Sequence, residues 1–126
     1  MRHTVPFVLG FGLLMTACAE KPPRVAPAMV PAGDPVNCIQ TNQIRSTQVQ
    51  DDQTIDFRMN NGQVFRNTLP NRCPGLGFSR AFSYTTSTSQ LCSVDIIRVI
   101  EQAGGPRPGA ACGLGQFVPV KPAPAK

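Results

Sequence analysis

The chain has 126 residues, 41% of them hydrophobic, with one tyrosine, no tryptophan and a formal net charge of +5. That length leaves room for one domain and not two. A dispersed arginine excess without interleaved aromatics speaks against a nucleic-acid surface. The single histidine is His3, which lies in a leader. The exported chain therefore has no imidazole for acid–base, nucleophilic or metal chemistry.

Met1-Arg2-His3 opens the chain, an apolar stretch runs from Val5 to Met15, and Thr16-Ala17-Cys18 follows. A positive start, a short apolar core and a small residue before a cut are the parts of a secretory signal. About eleven apolar residues fall short of the roughly twenty that cross a bilayer, so no spanning anchor is expected. Leu14-Met15-Thr16-Ala17-Cys18 resembles a bacterial lipoprotein lipobox. The match is specific at Ala17 and Cys18 and departs at Met15, where leucine is usual. The resemblance implies cleavage after residue 17, diacylation of the Cys18 thiol and often acylation of the new amine. Each buried methylene adds about 0.8 kcal/mol of membrane affinity, so two or three chains anchor firmly. Ala19, where an aspartate would retain the protein at the inner membrane, resembles lipoproteins sent on to the outer membrane. The competing reading is an ordinary signal peptide cut near a stray cysteine.

Residues 18–36 contain Pro22, Pro23, Pro27, Pro31 and Pro35. Proline lacks a donor and fixes its own torsion, so this stretch reads as an extended tether. The domain proper is expected over 37–119, with a disordered tail over 120–126. Cys38 to Gln50 carries Ile39, Ile44 and Val49, and Asp51-Asp52 turns into a second strand. Thr54 to Met59 alternates with period two, placing Ile55, Phe57 and Met59 on one face. Asn61-Gly62 is a hairpin signal that calls for positive φ at both positions, and Gln63 to Leu69 returns with Phe65 and Leu69 inward. Ala81 to Thr86 is a further strand. Ser93 to Ile100 is a β-branched run, read as a strand buried on more than one side. Gly104 to Gly109 is a loop, and Gly115 to Pro119 a short closing strand. The fold expected is all-β: a small antiparallel meander of five or six strands, barrel-like or two-layered.

Four cysteines lie in the body: Cys38, Cys73, Cys92 and Cys112. Intervals of 35, 19 and 20 residues lack the close pairs of a zinc knot, and an exported chain favours disulfides. Alternating strands of a meander put Cys38 and Cys73 at opposite ends, roughly 20 Å apart, whereas bridgeable Cα atoms lie within about 7 Å. That favours Cys38–Cys92 with Cys73–Cys112. Cys73–Cys92 with Cys38–Cys112 stands second.

The carboxylates Asp51, Asp52, Asp56 and Asp95 are the best remaining set for catalysis, since paired carboxylates can split their pKa values and act on sugars. Asp51-Asp52 equally suits a plain turn. A contact patch is expected at Asn71 and Arg72, beside Pro74 and Gly75, with Arg107 joining it if Cys73–Cys112 forms. No cofactor or metal is expected. The expected function is a non-catalytic binding or structural module, tethered by lipid on the periplasmic side and contacting an envelope protein or an anionic glycan or lipid. The alternative is an exported carboxylate hydrolase acting on an envelope glycan.

From Cys38 to Phe117 the chain resembles a family of short proteobacterial envelope proteins known only as a domain of unknown function. The residues that carry the resemblance are Cys38-Ile39, Val49-Gln50-Asp51-Asp52, Ile55-Asp56-Phe57, Asn67-Thr68-Leu69, Cys73-Pro74-Gly75-Leu76, Leu91-Cys92 with Asp95, and Cys112-Gly113-Leu114-Gly115-Gln116-Phe117. The family has no established activity, so the resemblance implies a category and no mechanism.

Overall fold

The computed structural model describes residues 28–124 together with Gly10. Apart from Gly10, the expected signal peptide lies outside the described residues, as do its expected cleavage site and Cys18. Ten antiparallel strands are present among those described: β1 Met29–Pro31, β2 Cys38–Gln40, β3 Ile44–Asp51, β4 Thr54–Met59, β5 Val64–Thr68, β6 Phe82–Tyr84, β7 Gln90–Cys92, β8 Ile96–Glu101, β9 Arg107–Gly113 and β10 Phe117–Pro122. They form a five-stranded sheet in the order β1-β10-β5-β4-β3, a three-stranded sheet β6-β8-β9 and a ribbon of β2 with β7. The all-β class and antiparallel pairing are as expected. The meander itself is confined to β3-β4-β5, and β10 returns from the far end of the chain to lie beside β5.

Period-two patterning explains the main sheet. Ile55, Phe57 and Met59 on β4 are buried, as are Val49 on β3 and Phe117 on β10. They meet Ile97 and Val99 of β8, with Ile39, Leu69, Leu76, Leu91 and Leu114 closing the core. Phe57 sits at its centre, edge-on to Phe117 at 5.4 Å and to Phe82 at 6.2 Å between ring centroids. Such edge contacts add about 1 kcal/mol each beyond area burial.

Four local expectations change. The β4–β5 turn is a three-residue loop in which Gly62 has φ 87° while Asn61 stays outside the left-handed region. Gly62 N–H donates to Met59 O (3.0 Å) and Met59 N–H to Gln63 O (2.8 Å), while Asn61 Oδ1 accepts from Gln63 N–H (2.9 Å). Asparagine here acts as a side-chain acceptor, and only glycine supplies positive φ. β8 begins at Ile96 because Ser93 to Asp95 form a turn, with Asp95 N–H donating to Cys92 O (3.0 Å). Ile96 and Arg98 are exposed, so β8 buries one face, not two. A single helical turn, α1 Leu76–Ser79, follows Gly75 where no helix was expected.

The sheet also extends past 37–119 on both sides. Met29–Pro31 pairs with Val120–Pro122, so part of the expected tether and tail is strand. The prolines permit this through their placement. Ala32 N–H donates to Pro119 O (2.7 Å), and a strand residue points its N–H and C=O toward the same neighbour. The missing donor of Pro119 therefore faces the short edge strand β1, and the ladder to β5 is untouched.

Candidate functional site

The β3–β4 turn and the start of α1 build a cleft that two of the expected carboxylates share. Gln50, Asp51, Asp52, Gln53, Arg72 and Gly77 line a shallow, solvent-open depression of about 480 Å³. Asp52 is its fixed point. One carboxylate oxygen accepts Gly77 N–H (2.8 Å); the other accepts Arg72 Nε–H (2.9 Å) and lies 2.8 Å from Arg72 Nη2. Its backbone oxygen accepts Cys73 N–H (2.7 Å). The Gly77 amide, and then the Arg72 guanidinium, hold the Asp52 carboxyl below its ordinary range against the opposing effect of burial. Asp51 Oδ1 accepts Gln53 N–H (2.8 Å) and shapes the turn. A general acid needs its pKa raised, and the environment of Asp52 acts in the other direction.

Asp56 lies on the outer face of the sheet and is 9% exposed. Its register partner Arg66 meets it with two parallel bonds, Nε to Oδ1 (2.7 Å) and Nη2 to Oδ2 (2.9 Å). Gln50 Nε2 donates to Oδ2 (3.0 Å). These bonds push the Arg66 guanidinium above its ordinary value. Asp56, Gln50, Gln48, Ser46, Arg58, Val64, Met29 and Pro122 border a more enclosed cleft of about 220 Å³. Asp95 stands apart from both clefts: its Oδ2 accepts Cys92 N–H (2.7 Å). The four acids are thus distributed over three locations, each with a structural partner.

The two bridges are Cys38–Cys92 and Cys73–Cys112, with Cα separations of 4.0 and 5.9 Å. Cys38 and Cys92 face each other directly in the β2–β7 register. Their neighbours Asn37 O and Ser93 N–H bond across the ribbon at 2.7 Å, while Cys92 N–H is turned to Asp95. The bridge therefore spans a non-hydrogen-bonded pair, where side chains come closest.

The expected contact patch divides. Asn71 and Arg72 are exposed beside the Asp52 turn. Arg107 begins β9, whereas Cys112 lies near its other end, about 16 Å along the strand at 3.3 Å per residue. It pairs with Glu101 (3.5 Å) and borders a different depression, with Ser83, Arg98 and Pro106. The Cys73–Cys112 bridge ties Arg72 to the Cys112 end of β9 and leaves Arg107 with β8.

Sequence reasoning passed over Asn67. It is fully buried, donates through Nδ2 to Gly115 O (2.7 Å) and accepts Gly115 N–H at Oδ1 (2.8 Å). The signal was present: Phe65 and Asn67 on β5 share one parity with Leu69 just beyond it, so an amide stands where the pattern calls for an apolar residue. Among the described residues no group of three His, Cys, Asp or Glu side chains could hold a metal ion.

No curated protein and no solved structure matches the chain. A family profile described as a family of unknown function, DUF6491, matches residues 1–123. Many of the residues that carried the resemblance are scaffold contacts: Asp52 on Gly77, Asn67 on Gly115, Asp95 on Cys92, and all four bridged cysteines. The chain belongs to the DUF6491 family.

Proposed function

We propose that this is a proteobacterial envelope lipoprotein, anchored through Cys18 to the periplasmic side of a membrane, the outer one by preference, and acting as a non-catalytic binding or structural module. The observation that carries the reading is how the cysteines divide. Four are consumed in two bridges, which suit an oxidising compartment. The fifth, Cys18, directly follows an export-type leader. The carboxylates support the non-catalytic part, because Asp52, Asp56 and Asp95 are engaged in turn and strand contacts. Replacing Cys18→Ser is expected to move the protein from the membrane fraction to the soluble periplasmic fraction; retention in the membrane contradicts the anchor.

For a protein partner, Asn71 and Arg72 form the candidate contact, and Arg107 is a separate one. Site-specific crosslinking in living cells should lose its adduct with Arg72→Ala and keep it with Arg107→Ala. A carboxylate hydrolase of an envelope glycan is the second reading, favoured by the cleft that Asp51 and Asp52 share. It requires glycan cleavage by the purified protein that disappears in Asp51→Asn with Asp52→Asn.

A further inference from the structure

Strand register sorts the charges of the main sheet to its two ends. One row crosses all five strands: Pro31, Val120, Val64, Arg58 and Ser46. The next row toward the β4–β5 hairpin holds Lys121 opposite Val30, and Met59 opposite Ile44. Arg45 occupies the bulge between Ile44 and Ser46, beside Arg58. Arg45, Arg58 and Lys121 are exposed, and none forms a salt bridge among the described residues. The segments that build this end, 28–30, 41–46, 58–64 and 120–123, contain no aspartate or glutamate. Asp51 and Asp52 lie in the turn at the other end.

Elsewhere three arginines pair with acids, Arg66 with Asp56, Arg72 with Asp52 and Arg107 with Glu101, while Arg80 and Arg98 stand singly, without a salt bridge among the described residues and on other elements. Neighbouring like charges on a sheet weaken it; Arg58 shares its face and a cleft with Asp56, which is already held by Arg66, and Arg45 has no acid on β3 before Asp51. Both chain ends leave the sheet at this same end. Met29 pairs with Pro122, and Ala123 N–H donates to Ala28 O (3.0 Å). In the sequence Lys21 and Arg24 precede Met29, and Lys126 follows Ala123.

We infer that this hairpin end is a docking surface for anionic lipid head groups, which orients the domain with Arg45, Arg58 and Lys121 against the membrane. The inference rests on the anchored reading above and adds an orientation to it. An extended chain from Cys18 to Met29 reaches no more than about 40 Å, so the anchor keeps this end near the bilayer. Direct docking is then needed, because the attraction fades beyond a Debye length of about 8 Å. The asparagines and glutamines of the same end (Asn42, Gln43, Asn60, Asn61 and Gln63) supply neutral donors suited to phosphate and glycerol oxygens.

The test is vesicle sedimentation of the full chain, with Cys18→Ser throughout so that no acyl chain dominates. Vesicles of equal parts phosphatidylglycerol and phosphatidylcholine are compared with phosphatidylcholine alone. The leader carries its own cation, Arg2, and is the same in parent and variants, so it cancels when their ratios are compared. Each cation near an anionic surface is worth about fivefold in partitioning, so R45Q/R58Q/K121Q should lower the anionic-to-neutral ratio about a hundredfold. The charge-matched R80Q/R98Q/R107Q should lower it far less, and unchanged melting of both triples excludes misfolding. Equal partitioning of the parent protein, or an equal loss in both triples, overturns the inference. So does tighter binding to heparin that depends on the same three residues, which would assign the surface to an anionic glycan. Acylation of Cys18 in the natural protein is read separately by mass. Its absence would overturn the anchored reading, whatever the vesicle ratio.

Discussion

Asn67 and Gly115 hold the start of β10 against β5 through a pair of hydrogen bonds that imitates one step of a sheet ladder. Removing the amide leaves a buried N–H and C=O unpaired, at about 1–3 kcal/mol for each group. Asn67→Ala should therefore cost about 2–4 kcal/mol, read as a lower urea midpoint with unchanged slope. A Cβ at Gly115 would overlap the Thr68 carbonyl oxygen, so Gly115→Ala should cost about 3 kcal/mol. Asp52 offers a different readout. A carboxyl held below its ordinary range by folding contributes stability that is complete above its unfolded value, near pH 4, and disappears as pH falls through the folded value. Asp52→Asn should be less stable than the parent at pH 7, and the gap should narrow on acidification below about pH 4. A gap independent of pH would contradict this. Asn67 was legible as an amide at an inward parity. The roles of Asp52 and Gly77 were not, because an acceptor and a donor 25 residues apart are brought together only by the tertiary fold.

Alternation made β4 and β5 readable in the sequence, since one face of each packs on the core and the other meets solvent. It failed for β8, where an exposed isoleucine prolongs the apolar run, and for α1, whose single turn is too short for helical periodicity. It also missed the β2–β7 ribbon, three residues on each side, although the bridge the ribbon carries was favoured from end-to-end geometry. β1 and the end of β10 were hidden by proline, because a depletion rule cannot say which neighbour a missing donor faces. The hairpin provides a test at this scale. Gly62 at φ 87° makes Gly62→Ala cost about 1–2 kcal/mol, while Asn61→Ala, which loses one exposed side-chain bond, should cost under about 1 kcal/mol. Equal costs would show that the turn places both residues in the left-handed region.

The molecule as a whole buries a modest core beneath several short strands and closes it with two crosslinks. Sequence separations of 54 and 39 residues make each bridge worth about 4 kcal/mol in the chain-entropy account. Ordinary domains have only about 5–15 kcal/mol in total, so reduction should unfold this one. Unchanged melting in strong reductant would contradict that. Class and cysteine pairing were legible because they depend on alternation and on which strand ends lie together. A partner was not, since the residues that mark the family here serve the scaffold. The most direct measurement is intact-mass and non-reducing peptide analysis of the protein taken from its native membranes. The expected result is a chain beginning at an acylated Cys18, with Cys38 joined to Cys92 and Cys73 to Cys112. A chain beginning elsewhere, or an unmodified Cys18 thiol, would contradict the anchored reading.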